Sequence, residues 1–187
     1  MSEWDAVVLA GGGGRRLGGV DKPALVIGRR TLLDAALVAC ADARHTVVVG
    51  PRRPTTRPVS WTREDPPGTG PLAALAAGMR ALPQGAPTVV VLAADLPAVS
   101  ATVVHALVDG VAGDGAAAVD AEGRLQPLLA AYRRAALDAA LAGIGDPAGR
   151  PVHLLVDALD LAEVRLTDAA ADIDTPGDLA RWKEERP

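Results

Sequence analysis

The sequence predicts an α/β fold with a mostly parallel central sheet, helices on both faces and a hairpin in the C-terminal half. Three observations predict it. Residues 6–10, 46–49 and 88–93 are short runs of Val, Leu, Ala and Thr that are apolar almost throughout instead of alternating, the pattern of strands covered on both faces. Segments 31–43 and 71–82 carry apolar residues at helical spacing between those runs. Residues 116–130 read as a strand, a turn at Glu122-Gly123 and a returning strand, which breaks the strict alternation.

Taken in order, the first run opens the sheet directly after a short polar start. Thr31 followed by Asp34 reads as a helix cap with a first-turn acid. Residues 59–62 suit a short edge strand. Pro71 fits the first turn of the helix it opens, and Ser100 caps another that runs from 101 to about 111. Residues 133–142, with Leu137 and Leu141 four apart, and residues 152–159 read as helices. Thr175-Pro176-Gly177-Asp178 combines a cap, a proline at the first helical position and an acid at the third, opening a last helix through Trp182. Just before it, Asp172-Ile173-Asp174 sets two carboxylates on one side of an extended segment.

A chain of 187 residues is one domain, without an internal repeat or linker. Aromatic residues are 2% and Phe is absent, so Ala, Val and Leu must build the core. The net charge of −4 argues against a general nucleic-acid binder, which presents a basic surface. Positive charge is local instead. Arg15, Arg16 and Lys22 share one loop, while Arg52, Arg53 and Arg57 form a second cluster, read as solvated loop charges with an anion site as the alternative. The single cysteine, Cys40, falls in helical register with Leu33 and Leu37; a core thiol in a reducing cytoplasm is expected. No run of about 18 apolar residues predicts a membrane span.

Chemistry concentrates in Leu9-Ala10-Gly11-Gly12-Gly13-Gly14-Arg15-Arg16-Leu17-Gly18-Gly19-Val20-Asp21-Lys22. Glycines let phosphate oxygens reach backbone N–H groups, arginine adds forked donors and lysine a mobile point charge. A polyphosphate fits that equipment. The spacing is neither a Walker loop, since Gly19 follows Gly18 where lysine is required, nor a dinucleotide fingerprint, since Arg16 replaces its third glycine. Asp95, just past the apolar run 88–93, lies where open α/β sheets place ligands and suits a hard cation such as Mg²⁺. Asp65, in the loop Glu64-Asp65-Pro66-Pro67-Gly68-Thr69-Gly70, is placed to accept hydrogen bonds from a base or ribose. No Gly-x-Ser-x-Gly elbow surrounds any serine, and His45, His105 and His153 lack zinc-ligand spacing.

Together with Gly70-Pro71-Leu72-Ala73, Asp95-Leu96-Pro97, Gln126-Pro127-Leu128 and Asp172-Ile173-Asp174-Thr175-Pro176-Gly177-Asp178-Leu179, these motifs resemble the molybdenum cofactor guanylyltransferases of the nucleotidyltransferase superfamily. The resemblance covers about residues 7–182. It implies a three-layer, Rossmann-like nucleotidyltransferase fold, with residues 1–110 as the nucleotide-binding half and 111–187 as the acceptor-binding half. It further implies that Leu9, Ala10, Gly11 and Gly12 contact a guanine nucleotide, that Lys22 binds its phosphates, that Asp65 touches the nucleotide and that Asp95 binds Mg²⁺ as cofactor.

Arg16, Lys22 and Asp95 are the expected catalytic groups. Asp174 is a candidate for a second metal contact or, with Asp172, for orienting the acceptor; a helix-entry role for it stays open. GTP and molybdopterin are the implied substrates, with transient contact to molybdoenzymes or cofactor chaperones and a cytoplasmic location. The chain departs from the family pattern at Gly50, where Asn is frequent, and at Asp172 and Asp174, where Asn-x-Asn is frequent. A cytidylyltransferase for the same pterin, another small-acceptor nucleotidyltransferase and a non-catalytic delivery protein remain the alternatives.

Overall fold

The computed structural model of the chain describes residues 3–11, 19–166, 169–170, 173 and 175–185. In chain order these form β1 (Trp4–Leu9), a 3₁₀ turn (Lys22–Ala24), β2 (Val26–Ile27), β3 (Arg30–Thr31), α1 (Leu32–Ala39), β4 (Thr46–Val49), β5 (Ser60–Thr62) and α2 (Pro71–Ala81). There follow β6 (Thr88–Ala93), α3 (Ala101–Asp109), β7 (Gly115–Val119), β8 (Leu125–Arg133), α4 (Arg134–Ile144), α5 (Leu154–Ala158), β9 (Leu161–Arg165) and α6 (Pro176–Glu185). All three apolar runs are strands, and β1 lies between β4 and β6 with both pairings parallel.

The strand order β5-β4-β1-β6-β8 is parallel except for β8, which runs antiparallel to β6. β7 and β9 pair in parallel. Asp120 N–H bonds to Arg124 C=O at 3.0 Å and Arg133 N–H to Asp114 C=O at 2.8 Å, which ties β7 to β8 and extends a mixed, mostly parallel sheet to seven strands.

Because strand side chains alternate between faces, each buried run feeds two layers. Ala6, Val8, Val48, Val90 and Leu92 pack with Leu33 and Leu37 of α1 and Val104 and Leu107 of α3. Val7, Leu9, Val47, Val49, Val89 and Val91 pack with Leu72, Leu75 and Met79 of α2, Leu137 of α4 and Leu155 of α5. Small residues make this possible: a Cβ at Gly78 in α2 would stand 2.5 Å from Val7 Cγ1 and 2.9 Å from Val49 Cγ2. The helix therefore rests directly on the sheet.

The caps form as the sequence predicts. Thr31 Oγ1 accepts from Asp34 N–H at 3.0 Å, Ser100 Oγ from Val103 N–H at 3.4 Å and Thr175 Oγ1 from Asp178 N–H at 3.2 Å. Two features were not anticipated, the β2–β3 hairpin and β9. Both are short and partly exposed, so neither carries an uninterrupted apolar signature. The hairpin has a structural purpose. Ile27 and Leu32 pack with Ile173 and with Trp182 of α6, docking the end of the chain beside the 3₁₀ turn that carries Lys22.

In the second arginine cluster Arg52 is exposed as expected, but Arg53 and Arg57 correct the reading as solvated loop charges. Arg57 Nη1 donates to Leu37 and Cys40 carbonyls at 3.0 Å each, a cation at the C-terminal end of α1 where the helix dipole favours it. Arg53 is equally engaged, as described below. Cys40 is buried as expected, and burial pushes its thiol up to about 12 against the opposing effect of Arg57.

Candidate active site

A cleft of about 760 Å³ opens at the carboxyl ends of β1, β4 and β6. The location follows from parallel topology: adjacent crossovers leave to opposite sides of the sheet and part at that edge. Leu9, Gly11, Gly50, Ala93 and Asp95 form its floor, the loop before α2 one wall, and β8 with Val152 the other.

Lys22 and Asp95 both line this cleft, with Nζ 3.6 Å from Oδ2 and side chains 15% and 27% exposed. Two segments separated by 73 residues thus bring a cation and a carboxylate to one point. Of the backbone positions expected there, Leu9 and Gly11 line the cleft and Ala10 does not. Ala10 N–H is given to Val49 C=O at 2.8 Å, and its carbonyl accepts from Arg53 Nη1 at 2.8 Å. Asp65 is exposed and stands outside the cleft wall, while its neighbour Glu64 lines it. Gly12, Arg16, Asp172 and Asp174 lie outside the described residues.

Sequence reasoning missed three participants. Glu64, 9% exposed, accepts Gly68 N–H at 2.8 Å and so shapes the loop leading into α2. Which of two adjacent acids turns inward depends on the path of the chain, and no local signal distinguishes them. Arg63 adds a second cation to the lining. Arg53 donates through Nε and Nη2 to Asp21 at 2.8 and 2.6 Å, besides its bond to Ala10. One guanidinium thereby holds the chain on both sides of the glycine-rich segment, at Ala10 before it and at Asp21, next to Lys22, after it. A bidentate arginine–carboxylate pair is directional as well as strong.

Gly50 has a local explanation for its departure from the family pattern. Its φ is +149°, and a Cβ there would stand 2.6 Å from Ala10 O. Close approach of the β1 and β4 loops requires glycine at this point.

Next to the lining residue Gln126, Asp120 Oδ1 accepts N–H bonds from Glu122 and Arg124, both at 2.9 Å, and Oδ2 accepts from Gln126 Nε2 at 2.7 Å. The Arg124 backbone bond, opposed by burial and joined by the Arg124 guanidinium and the Glu122 N–H, holds this carboxyl below its usual range.

Asp95 has the chemistry for Mg²⁺, which binds through one or two carboxylates, its own waters and substrate phosphates. Among the described residues no group of three His, Cys, Asp or Glu could cage a metal alone. The arrangement suits binding a triphosphate and stabilising charge as phosphoryl bonds change.

Residues 6–159 match the model of the MobA-like NTP transferase domain. The chain belongs to that family. It is 32% identical to the molybdenum cofactor guanylyltransferase of Acidiphilium cryptum, over 93% of this chain and 91% of the relative. A probable molybdenum cofactor guanylyltransferase of Mycobacterium bovis is 34% identical over 87% of this chain and 84% of its own length. Among solved structures, the molybdopterin-guanine dinucleotide biosynthesis protein A of Archaeoglobus fulgidus superposes with a TM-score of 0.70 at 22% identity, covering 97% of each chain. The 2-C-methyl-D-erythritol 4-phosphate cytidylyltransferase of Thermus thermophilus gives 0.72 at 24% identity, covering 98% of each. These likenesses establish the nucleotidyltransferase fold, which guanylyl and cytidylyl enzymes share. Membership of the MobA-like family makes the chain a nucleotidyltransferase, and no helix among its described residues is long and apolar enough to cross a membrane.

Proposed function

We propose that this chain transfers GMP from GTP to the terminal phosphate of molybdopterin, forming the guanine dinucleotide and releasing pyrophosphate, with Mg²⁺ as cofactor. The observation that carries the reading is the convergence of Lys22 and Asp95 in one cleft. Two relatives named molybdenum cofactor guanylyltransferase at 32% and 34% identity support the choice of substrates.

An oxygen of the acceptor phosphate attacks the α-phosphorus, and the bond to the β-phosphate oxygen breaks. The acceptor is already ionised, so no protein nucleophile is required. The protein must instead overcome repulsion between anions and hold them in line. Two unit charges 4 Å apart interact by about 4 kcal/mol at an effective dielectric near 20, so a few cations decide the outcome. Lys22 and Arg63 supply charge from the cleft wall, and Arg16 is assigned the same task from its place in the glycine motif. Mg²⁺ at Asp95 would neutralise phosphate charge and orient the triphosphate. Leu9 and Gly11 supply backbone contacts to the nucleotide, Gly12 is assigned the same role from its place in the glycine motif, and Asp65 is assigned a contact at the outer rim. Asp172 and Asp174 remain candidates for the acceptor side, Asp174 also for the metal. Transient delivery of product to a molybdoenzyme or cofactor chaperone, in the cytoplasm, completes the reading.

GTP labelled at the α-phosphate, incubated with molybdopterin and Mg²⁺, tests it: labelled dinucleotide and an equal quantity of pyrophosphate are expected. Product from CTP and none from GTP would replace guanylyl with cytidylyl transfer. Nucleotide binding without pyrophosphate release would replace the enzyme with a delivery protein. Thermal shifts with GTP, CTP and ATP rank the bases beforehand, since a ligand at 100 times its dissociation constant stabilises by about 2.7 kcal/mol.

A further inference from the structure

The Gln126 side chain belongs to the cleft, yet the transfer chemistry described above does not use it. β8 pairs with β6 in a register that matches Leu92 with Leu129 and Thr88 with Arg133. The pairing stops short of Gln126 and Asp95, and beyond it both residues line the cleft. Leu128 and Val152 lie beside Gln126 in the same wall as half-buried apolar side chains. The neighbourhood offers apolar side chains with one amide among them.

That amide has a fixed direction. A carboxylate only accepts hydrogen bonds, so the 2.7 Å contact with Asp120 requires Gln126 to present Nε2 to it. Asp120 cannot turn away. Its side chain is 10% exposed, Arg124 Nε also donates to Oδ2 at 3.0 Å, and the other oxygen is held by the N–H groups of Glu122 and Arg124 at 2.9 Å each. With Nε2 committed, Oε1 is left as a pre-set acceptor, and no hydrogen bond among the described residues reaches it.

We propose that Gln126 selects the acceptor substrate: Oε1 receives a ring N–H of a planar, hydrogen-bond-donating heterocycle lying on Leu128 and Val152, and Asp120 is the positioning residue that sets the amide. This inference rests on the proposed pterin acceptor and names how it is held. A carbonyl oxygen repels phosphate oxygens, so Oε1 is suited to the N–H-bearing ring of the acceptor and not to either phosphate group. A site built around a hydrogen bond discriminates strongly, because a ligand that covers the acceptor without a donor leaves it unpaired.

Steady-state kinetics with molybdopterin and GTP, together with molybdopterin binding followed by pterin fluorescence without nucleotide, test the assignment. Gln126→Met keeps shape and removes the acceptor. It is expected to raise KM and Kd for molybdopterin roughly tenfold, the scale of one hydrogen bond, with KM for GTP within twofold of wild type. Gln126→Glu places a second carboxylate against Asp120 and is expected to lose at least as much. Adding Asp120→Asn to Gln126→Glu exchanges the members of the pair, and partial recovery of pterin affinity is expected, because Arg124 Nε, which donates to the same Oδ2 at 3.0 Å, then meets an amide N–H. A merely structural role predicts equal losses for GTP and pterin instead. Molybdopterin affinity within twofold of wild type for Gln126→Met, equal losses for GTP and pterin, or a double variant no better than Gln126→Glu would each overturn the proposal. Wild-type protein that binds molybdopterin with these variant effects but makes no dinucleotide would instead overturn the transfer reaction and leave the Gln126 assignment standing.

Discussion

The two ends of the central sheet carry the same chemistry to opposite purposes. At the amino end, Asp5 of β1 is fully buried and meets Arg134 Nη2 at 2.5 Å, while Arg134 Nε donates to Ala86 C=O at 2.8 Å and His45 N–H reaches Asp5 at 3.1 Å. At the carboxyl end, Lys22 and Asp95 stand 3.6 Å apart, partly exposed, on the wall of an open cleft. The first pair joins β1 to the start of α4 and closes that edge. The second is longer than a hydrogen bond and faces an open cleft. A charge pair is structural when its geometry is saturated and functional when a ligand can enter it.

The sharpest way to break this comparison is at the closed end. Arg134→Leu leaves the buried Asp5 with its His45 contacts alone, and losing one member of a buried pair costs about 3–5 kcal/mol. Urea titration is expected to show that loss, and a change below 1 kcal/mol would mean the pair is not the closure described. At the open end the expectation inverts. Lys22→Ala and Asp95→Ala are each expected to lower kcat/KM by roughly 10²- to 10³-fold, the scale for removing one charge-stabilising group, with melting temperatures close to wild type. If both retain activity within a factor of three, the cleft is not where transfer occurs.

Arg53 lies between these extremes, because its bonds hold a functional loop. Arg53→Met is expected to raise KM for the nucleotide about tenfold through the lost charge-assisted bonds, and more than it changes kcat. An unchanged KM would separate the Asp21 clasp from phosphate binding.

The smallest effect concerns pH. Burial tends to raise the Asp34 carboxyl, but the Thr56 N–H, the Thr31 and Thr56 hydroxyls and the charge of Arg30 outweigh it and hold the group below its ordinary 3.8. A lowered folded-state pKa stabilises the fold fully above the unfolded value and loses that contribution as pH falls through the folded one. Stability measured against pH is therefore expected to decline more gently below about pH 4 in Asp34→Asn than in wild type. Identical acid limbs would show that the Thr56 contacts add nothing to the carboxylate.

Much of this was legible in the chain before any coordinates. The strands 46–49 and 88–93 appear with the anticipated boundaries because burial on both faces leaves an unmixed apolar run. Thr31, Ser100 and Thr175 are caps because a side-chain oxygen satisfies orphan N–H groups locally. β9 escaped because an edge strand such as Leu-Ala-Glu-Val-Arg is half wet, and its identity depends on β7 lying beside it. Arg57 was misjudged for a similar reason: whether an arginine is solvated depends on which carbonyls the fold brings near it.

By itself, the sequence determined the layered α/β plan, the glycine and lysine motif, the acid at the strand end and the family to which they belong. These rest on local hydrophobic pattern, capping and residue chemistry, which act within a few positions along the chain. Tertiary structure decided that Glu64 turns into the cleft and Asp65 does not, that Arg53 clasps Ala10 and Asp21, and that Asp120 aims Gln126. Each of those outcomes depends on the relative placement of segments distant in sequence or on the path of a loop, and local propensity does not encode a distance across a fold.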